Sequence, residues 1–369
     1  MGYQERYETL VGEQLKSAME QTLSLMGASE IGRTAIEHYA FGKEGRLIDP
    51  SLATTIAGVA LENPVIIAAG WDKKGHAVRG LYCLGAAGTE VGTIPEFGQP
   101  GSPKPRLWTI DSAHSVGLNR MGFNSIGSEA VERKLKKHAE IPGVLGINVG
   151  KNKELADEHS PEYHAKVVKR FNPMADYFVF NPSSPNTPGL RENQKKGPMR
   201  DHMQAIMEVA TKPVFVKYAP DIAYKDLDES IEVVIEEGGA GLVFANTTND
   251  EKIKSKYGSR WASEAGGLSG DDSEYRAKAN QILRHAYEEY GDQLDMFGVG
   301  GVKDVDTALE KIKSGGSAVQ VLTAIRPTRG KVIAQINRGL MVYMQREGVT
   351  NIQELIGVAT KRGVKPRAA

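Results

Sequence analysis

Cysteine is almost missing from this sequence, since Cys83 is the only one among 369 residues. A single cysteine excludes a disulfide within the chain, and it excludes a metal or iron–sulfur site built from cysteines alone. Chains that do not depend on disulfides are typical of reducing compartments. The cysteine content therefore predicts a cytoplasmic protein.

Long hydrophobic runs and a net charge of either sign are missing as well. No apolar stretch approaches the roughly 20 residues that a membrane-spanning helix needs, and the polar start MGYQERYETL lacks the apolar core of a secretory signal. Lys+Arg and Asp+Glu both number 46, so the chain has no overall basic excess of the kind that attracts nucleic acid. We expect no nucleic-acid partner, while peripheral contact with the inner membrane surface remains compatible with the sequence.

Two kinds of catalytic motif are also absent. The eight histidines are scattered and none forms an HExxH motif, so the sequence predicts no metal site. There is no GxSxG motif, and neither Ser183 nor Ser184 in the segment SSPN has a base close to it in the sequence. Metal-dependent and serine-hydrolase chemistries are therefore disfavoured.

What the sequence does contain is a regular alternation of short apolar runs and amphipathic helical patterns from residue 64 onwards. The strand candidates are residues 64–70, 88–93, 143–150, 177–184, 213–220, 241–248, 295–301 and 318–324. Alternation of strand and helix predicts a parallel sheet, and eight units over about 290 residues suit an α/β fold of the (β/α)8 TIM-barrel type. A doubly wound open sheet is the main alternative.

Polar residues at the strand ends separate these two folds. Each candidate strand begins with apolar residues and ends in Gly, Asn, Lys, Ser or Thr, as at Asn148, Asn181, Lys217 and Asn246. A barrel gathers all eight carboxyl ends on one face, where its active site lies, whereas an open sheet distributes them along one edge. The pattern favours the barrel.

Residues 1–45 are predicted to form an amphipathic helical extension, and residues 46–369 the barrel domain. Apolar residues recur at helical spacing on both sides of a break at Gly27: Val11, Leu15, Ala18, Met19, Leu25 and Met26 before it, and Ile31, Ala35, Ile36 and Tyr39 after it. A helical hairpin of this kind either packs against the barrel as a structural cap, or forms a hydrophobic entrance or a membrane contact.

Residues 180–190, FNPSSPNTPGL, combine three prolines with uncharged hydrogen-bonding side chains. Proline fixes its own φ and biases the preceding residue towards extended geometry, so Asn181, Ser184 and Thr187 have restricted backbones. An ordinary turn-rich loop has a similar composition. Because this segment ends the fourth strand, we predict instead that it aims its polar side chains into the active site.

Glycines after the last two strands predict a phosphate site. Strand seven ends in GVGGV and strand eight is followed by LTAIRPTRGK. Loops at these two places often bind phosphate in barrels, because glycine lets backbone NH groups approach an anion. The predicted cradle consists of Gly300, Gly301, Leu322 and Thr323, and GGLSG at residues 266–270 is a further glycine-rich wall.

Lys217 closes the apolar strand PVFVK inside the expected barrel mouth. A buried lysine is unfavourable unless a negative charge or an acceptor compensates it, and an anionic reduced flavin would do so. The alternative is a lysine that reaches solvent or pairs with Asp221.

Donors and acceptors that suit a planar ring with alternating C=O and NH groups cluster near the same strand ends. They belong to Asn119, Asn181, Asn186, Asn246 and Thr247. Such a site is predicted to bind a pyrimidine-like edge. Lys73, after the first strand, is placed to hold a carboxylate on that ring, and Lys74 is the solvated alternative.

Taken together, the ordered motifs resemble dihydroorotate dehydrogenase, specifically its class 2 branch, which uses serine as the base. The resemblance runs from about residue 61 to residue 348, and its motifs are NPVIIAAGWDKKG, NRMGFNS, GINVGKNK, NPSSPNTPGLR, VKYAPD, ANTT, GGLSG, GVGGV and VQVLTA. It implies an FMN flavoprotein that oxidises dihydroorotate to orotate in pyrimidine biosynthesis, with a proton leaving C5 and a hydride passing from C6 to flavin N5. Class 1 enzymes and tRNA dihydrouridine synthases use a cysteine base, and the position of Cys83 in a helix argues against both.

The resemblance also implies a role for each residue of the site. Ser184 is implied as the base, with Thr187 as its proton-relay partner. Implied substrate contacts are Lys73, Asn119, Met121, Gly122, Phe123, Asn181, Asn186, Asn246 and Thr247. Implied FMN contacts are Ala69, Gly70, Thr93, Asn148, Asn181, Lys217, Ala245, Gly270, Gly300, Gly301, Leu322 and Thr323.

The sequence departs from the class 2 pattern on the side of the electron acceptor. Thr109 and Leu322 stand where the family usually has an arginine and a tyrosine that help to form the quinone access path. In addition, TIPEFGQ replaces VTPxPQ, the hairpin lacks the usual Asp-Pro and Ala-His signature, and Ala245 replaces a flavin-contacting threonine. Quinone is the expected acceptor. The alternative is an FMN barrel with another dihydropyrimidine-like substrate or a non-quinone acceptor, and a non-catalytic flavin-binding barrel is disfavoured because it would not need to retain Ser184 and Lys217.

Overall fold

The computed structural model of the protein describes residues 3–138, 140–187 and 189–364, and within the first helix the side chains from Lys16 onwards. In chain order the strands are β1 (Thr54–Ile56), β2 (Val59–Leu61), β3 (Val65–Ile67), β4 (Gly88–Ile94), β5 (Leu107–Asp111), β6 (Val116–Asn119), β7 (Val144–Val149), β8 (Tyr177–Phe180), β9 (Val214–Tyr218), β10 (Gly241–Phe244), β11 (Gly267–Ser269), β12 (Asp295–Val299) and β13 (Ala318–Val321). The α-helices are α1 (Tyr3–Gly27), α2 (Glu30–Phe41), α3 (Val78–Cys83), α4 (Ser128–Leu135), α5 (Ser160–Phe171), α6 (Lys196–Met207), α7 (Tyr224–Glu236), α8 (Glu251–Ser255), α9 (Ser259–Ser263), α10 (Ser273–Tyr290), α11 (Val305–Lys313) and α12 (Lys331–Glu347).

Eight parallel strands close into a barrel in the order of the chain. They are β3, β4, β7, β8, β9, β10, β12 and β13, and β13 pairs with β3 to complete the ring. All eight predicted strands are present, so the predicted (β/α)8 barrel is confirmed and the open sheet is wrong. Seven of the eight strands end earlier than predicted, while β4 extends one residue further, to Ile94. β8 stops at Phe180, because Pro182 cannot donate a ladder hydrogen bond.

The lower half of the barrel is filled by inward-pointing apolar side chains. Tyr177, Phe215 and Phe297 are fully buried there, with ring centroids between 5.0 and 5.6 Å apart. Strand alternation produces this layer, since every second residue of a barrel strand faces inwards. The β1–β2 hairpin closes the amino end, where the Ala57 backbone NH donates to Asp295 at 2.7 Å. The opposite, carboxyl end is therefore the open one.

A small antiparallel sheet lies over part of this carboxyl end. β6 pairs with both β5 and β11, although β11 lies far from β6 in the sequence. The alternation of strands and helices did not predict this sheet, since its strands are short and belong to loops of the barrel.

The amino-terminal helices α1 and α2 form the predicted hairpin. Ser29 begins α2 by accepting a hydrogen bond from the Gly32 NH at 3.1 Å, and Leu23 and Ile36 are buried in the outer core. α1 packs against α3 at Gly80, where a Cβ would lie 2.5 Å from the Leu23 carbonyl oxygen, and it also contacts β5. The side chains of Val11 and Leu15, which belong to the predicted apolar face, lie outside the described residues. None of the described helices is long and apolar enough to cross a membrane.

Candidate active site

A cavity of about 160 Å³ opens at the carboxyl ends of the barrel strands. Its walls come from the loops that follow the strands, from the antiparallel sheet and from α1. Among the residues predicted for the site, the following line it: Ala69, Gly70, Lys73, Thr93, Asn119, Met121, Gly122, Phe123, Asn181, Ser184, Asn186, Lys217, Ala245, Asn246, Thr247, Gly270, Gly300, Gly301, Leu322 and Thr323. Asn148 and Thr187 are buried but are not among the lining residues.

Asn181 is the centre of an amide network at the floor of the cavity. Its Nδ2 group donates to Thr93 Oγ1 at 3.1 Å and to Asn148 Oδ1 at 3.2 Å. Its Oδ1 atom accepts from Ser183 Oγ at 3.1 Å and from Asn246 Nδ2 at 3.2 Å. Partners on β4 and β7 and in the loops after β8 and β10 therefore fix the Asn181 side chain. Asn148 lies behind Thr93 and Asn181 and does not line the cavity.

Glu90 lies beneath this network and is fully buried on β4. Its carboxylate accepts from Asn148 Nδ2 at 2.7 Å and from Gln320 Nε2 at 2.5 Å. A buried carboxylate needs such donors, because its unpaired charge would be strongly unfavourable. The acid therefore fixes the orientation of the Asn148 amide, and through it that of Asn181.

Ser184 is only 5% exposed and faces the cavity from the loop after β8. Its Oγ atom accepts from the Asn186 backbone NH at 3.3 Å. Arg191 holds the same loop, since its guanidinium donates to the carbonyl oxygen of Ser183 at 3.1 Å and to that of Thr247 at 3.0 Å. The serine hydroxyl is thus held in place on a braced loop.

Several polar atoms of the cavity wall have no partner within the protein. Asn186 Oδ1 and Thr247 Oγ1 are buried and make no hydrogen bond. Asn186 Nδ2 makes only a long bond of 3.4 Å, to Asn119 Oδ1, and Lys73 donates to Asn124 at 2.7 Å. Buried polar groups are normally satisfied, so these atoms indicate a polar ligand. Amides and hydroxyls of this kind suit the alternating donors and acceptors of a pyrimidine-like ring.

Lys217 extends into the cavity from β9 and is only 5% exposed. Burial lowers the pKa of its ammonium group, and the negative charge of Glu90 partly opposes this effect. The predicted alternative, a pair with Asp221, is wrong: Asp221 pairs with Arg191 and Lys278 instead. The ammonium group is therefore available to a ligand.

The side of the cavity at the carboxyl ends of β12 and β13 fits a phosphate. Gly300 and Gly301 have φ of +98° and +84°, and a Cβ on Gly300 would lie 2.7 Å from the Tyr275 hydroxyl. Thr323 Oγ1 and Ser269 Oγ lie 3.0 Å apart and offer hydroxyl groups at the same end. Together with Lys217, which lines the same cavity, this donor set fits the FMN that the sequence resemblance implies.

Some residues of the cavity wall were not predicted from the sequence. They are Lys16, Ala68, Trp71, Leu107, Gly117, Leu118, Tyr275, Val299, Val302, Gln320 and Arg326, whereas Ser269 belongs to the predicted glycine-rich wall at residues 266–270. Lys16 lies on the hairpin, and Leu107, Gly117 and Leu118 lie on the antiparallel sheet, neither of which the strand-end pattern identifies. A sequence signal for Trp71 did exist, because it directly follows the predicted Gly70 in AAGWDKKG.

Cys83 lies on α3, outside the cavity, and is buried. Burial raises the pKa of its thiol to about 11, so the thiol stays protonated and is a poor nucleophile. Among the described residues there is no group of three or more His, Cys, Asp or Glu side chains that could hold a metal ion.

Comparison with known proteins identifies relatives along most of the chain. The family model described as dihydroorotate dehydrogenase matches residues 51–344. Dihydroorotate dehydrogenase (quinone) of Myxococcus xanthus is 36% identical over 322 residues, which are 86% of this chain and 87% of the relative. Dihydroorotate dehydrogenase (quinone) of Erythrobacter litoralis is 39% identical over 315 residues, covering 84% and 89% of the two chains.

A solved structure shares the fold. The crystal structure of the Eimeria tenella enzyme abbreviated DHODH, in complex with ferulenol, superimposes with a TM-score of 0.78 at 31% identity. The match covers 85% of this chain and 89% of that one. The fold of most of this chain is therefore shared with a protein of known structure.

Proposed function

The chain belongs to the dihydroorotate dehydrogenase family, and from this premise we propose that its cavity oxidises (S)-dihydroorotate to orotate in de novo pyrimidine (UMP) biosynthesis. FMN is the cofactor and a quinone is the electron acceptor, as in the quinone-dependent relatives. The observation that carries this assignment is the position of Ser184 beside unsatisfied amide and hydroxyl groups in the cavity at the carboxyl face.

The asparagines and Thr247 bind the substrate ring. Asn186 Oδ1 and Thr247 Oγ1 are the unpartnered groups that the ring would satisfy. Asn119, Asn181 and Asn246 supply further amides, Lys73 binds the carboxylate, and Met121, Gly122 and Phe123 close the ring in. Binding restores the hydrogen bonds that the free protein lacks, so the site selects a ring with matching donors and acceptors.

Ser184 is the base. Its Oγ atom takes the proton from C5 of the substrate and passes its own hydroxyl proton onwards, with Thr187 as the relay. A serine hydroxyl is a weak base, so the step depends on positioning, which the Asn186 NH and the Arg191 clamp support.

FMN supplies the acceptor for the hydride that leaves C6. Lys217 would place a positive charge beside the flavin ring, and Thr93, Asn181 and Ala245 would orient that ring. Asn148 would act through its hydrogen bonds to Thr93 and Asn181. Gly300, Gly301 and Gly270 leave room for the phosphate, and Ala69, Gly70, Leu322 and Thr323 complete the contacts. The protein thereby contributes binding, orientation and electrostatics, while the redox chemistry belongs to the cofactor.

Residues 1–45 form the helical extension in this proposal, and residues 46–369 form the FMN-binding barrel domain. The extension also supports a peripheral location on the inner face of the cytoplasmic membrane. Leu25 is 76% exposed and Ile31 is 85% exposed, next to the turn between α1 and α2. Apolar side chains at such a turn are suited to insertion at a membrane surface.

Product analysis tests the overall reaction. The purified, FMN-loaded protein, incubated with dihydroorotate and a short-chain ubiquinone, should form equal amounts of orotate and quinol. Formation of orotate without quinol would contradict the acceptor, and absence of orotate would contradict the reaction itself.

A further inference from the structure

Arg326 stands out among the unpredicted residues of the cavity wall. It follows the short 3₁₀ helix Thr323–Ile325 after β13, is only 8% exposed and lines the cavity. A guanidinium group carries five N–H donors and stays charged at physiological pH, so its burial requires partners.

The protein itself supplies few such partners. Arg326 Nη2 donates to the hydroxyl of Thr109 on β5. Among the described residues no carboxylate forms an ion pair with Arg326, and burial alone lowers the pKa of its guanidinium. A desolvated cation with one neutral acceptor therefore faces the cavity, which is the situation that an incoming acceptor group would relieve.

The position of Thr109 shows which part of the cavity this cation serves. Thr109 and Leu107 are two residues apart on β5, so both side chains point to the same side, and Leu107 lines the cavity. β5 is also the strand against which α1 packs. The guanidinium group therefore lies on the side of the cavity next to the amino-terminal hairpin.

Apolar side chains and one donor without a hydrogen-bond partner line this side of the cavity. Leu107, Leu322 and Trp71 line the same cavity, and Gly70 approaches Leu322 closely enough that a Cβ would lie 3.6 Å from its side chain. Trp71 is 2% exposed, and its indole Nε1 has no hydrogen-bond partner. Apolar walls with a few unsatisfied donors suit a flat ring bearing carbonyl oxygens better than a small dicarboxylate.

We propose that Arg326 determines acceptor specificity by donating a hydrogen bond to a carbonyl oxygen of the quinone. This inference rests on the proposed function and adds a residue to its oxidising half. The quinone takes up two electrons from the cofactor and two protons to become a quinol, and the guanidinium holds its oxygen during that step. Arg326 supplies this cation from the loop after β13, and its hydrogen bond to Thr109 fixes it against β5.

Three variants test the assignment in the FMN-loaded, full-length protein. Arg326→Met removes the cation, Arg326→Lys keeps the charge without the planar fork, and the double variant Thr109→Arg with Arg326→Met moves the cation to β5. Arg329→Met is the matched control, because Arg329 is an exposed arginine in the same loop. The measurements are KM for a short-chain ubiquinone and its Kd from quenching of tryptophan fluorescence in the absence of dihydroorotate.

Loss of a charge-assisted hydrogen bond corresponds to about a tenfold weaker affinity. We therefore expect Arg326→Met to raise both the KM and the Kd for the quinone by about this factor, Arg326→Lys to lie between it and wild type, and the double variant to recover part of the loss. Unchanged quinone affinity in Arg326→Met would overturn the proposal, and so would an equal loss in Arg329→Met.

Two further results would also overturn it. If Arg326→Met loses FMN, the guanidinium binds the phosphate of the cofactor instead of the quinone. If the wild type turns over faster with fumarate than with quinone, the guanidinium binds a dicarboxylate acceptor instead. The fluorescence titration measures quinone binding without dihydroorotate, so its result does not depend on the proposed reaction. If wild type fails to oxidise dihydroorotate yet binds quinone through Arg326, only the proposed function fails.

Discussion

The carboxylate of Glu90 raises the pKa of the Lys217 ammonium group and so opposes the larger lowering that burial imposes. Glu90 is fully buried, and Lys217 is 5% exposed. A lysine is charged below its pKa, so this arrangement widens the pH range over which a positive charge faces the flavin site. The two residues together set the electrostatics of the cavity floor.

Replacing Glu90 by Gln should therefore lower the pKa of Lys217 further. We expect the positive charge beside FMN to be lost at a lower pH than in wild type, which makes the flavin harder to reduce above that pH. The measurement is the reduction potential of bound FMN as a function of pH. Glu129→Gln, on the exposed surface of α4, is the control, and an identical pH dependence in Glu90→Gln and wild type would contradict the coupling.

Ser184 offers the sharpest test of the proton transfer. Removing a general base typically slows a reaction by 10² to 10⁴-fold, so Ser184→Ala should bleach the flavin with dihydroorotate about that much more slowly. Ser184→Cys should recover part of the rate as pH rises towards the thiol pKa of about 8.5. Anaerobic stopped-flow absorbance measures the bleaching rate of both variants. If Ser184→Ala bleaches as fast as the wild type at neutral pH, another group is the base.

His164 on α5 and His202 on α6 form a buried pair, with their Nδ1 atoms 3.2 Å apart. Burial lowers the pKa of His202 to about 4 and that of His164 well below its usual value. The unfolded chain, with histidine pKa values near about 6.5, therefore binds more protons than the folded one, and stability is lost as pH falls from about 6.5 towards 4.

Chemical denaturation at several pH values tests this pair. Between pH 7 and about pH 4.5 the titration of His202 alone should remove about 2 kcal/mol of unfolding free energy from the wild type, and His164 adds to this loss. The double variant His164→Phe with His202→Leu has neither titrating group and should not show this loss. His159→Gln, an exposed histidine, should behave as wild type. If the unfolding free energies of the wild type and the double variant fall equally with pH, the histidine pair is not the cause of the pH dependence of stability.

The exposed apolar residues of the hairpin give a prediction about location. Leu25→Asp with Ile31→Asp should weaken co-sedimentation with anionic phospholipid vesicles, because the apolar insertion is lost and negative charge is added. Val358→Asp is the control, since Val358 is 43% exposed at a distance in sequence from the hairpin. Equal vesicle binding by the wild type, the Leu25→Asp and Ile31→Asp double variant and Val358→Asp would contradict the membrane contact.

The sequence predicted the barrel because each of its strands carries its own local pattern. Apolar runs that end in Asn148, Asn181, Lys217 and Asn246 were sufficient to identify both the fold and the face that holds the cavity. The loop around Ser184 was likewise recognisable, since its prolines restrict the backbone independently of the rest of the chain.

The acceptor side could not be predicted in the same way, because it depends on contacts between distant segments. β11 pairs with β6 across about 150 residues of chain, and such pairings leave no periodic signal. Arg326 looks like an ordinary loop arginine until Thr109 is placed against it. Glu90 resembles any polar residue in a strand, and only the closed barrel shows that it supports Asn148.

One anaerobic measurement tests directly whether this cavity passes a hydride from dihydroorotate to FMN. When the purified, FMN-loaded protein is mixed with dihydroorotate in the absence of oxygen, the flavin absorbance should disappear as orotate forms in equal amount. Subsequent mixing with a short-chain ubiquinone should restore the absorbance faster than mixing with fumarate or NAD. A flavin that stays oxidised with dihydroorotate would show that the cavity does not carry out this hydride transfer.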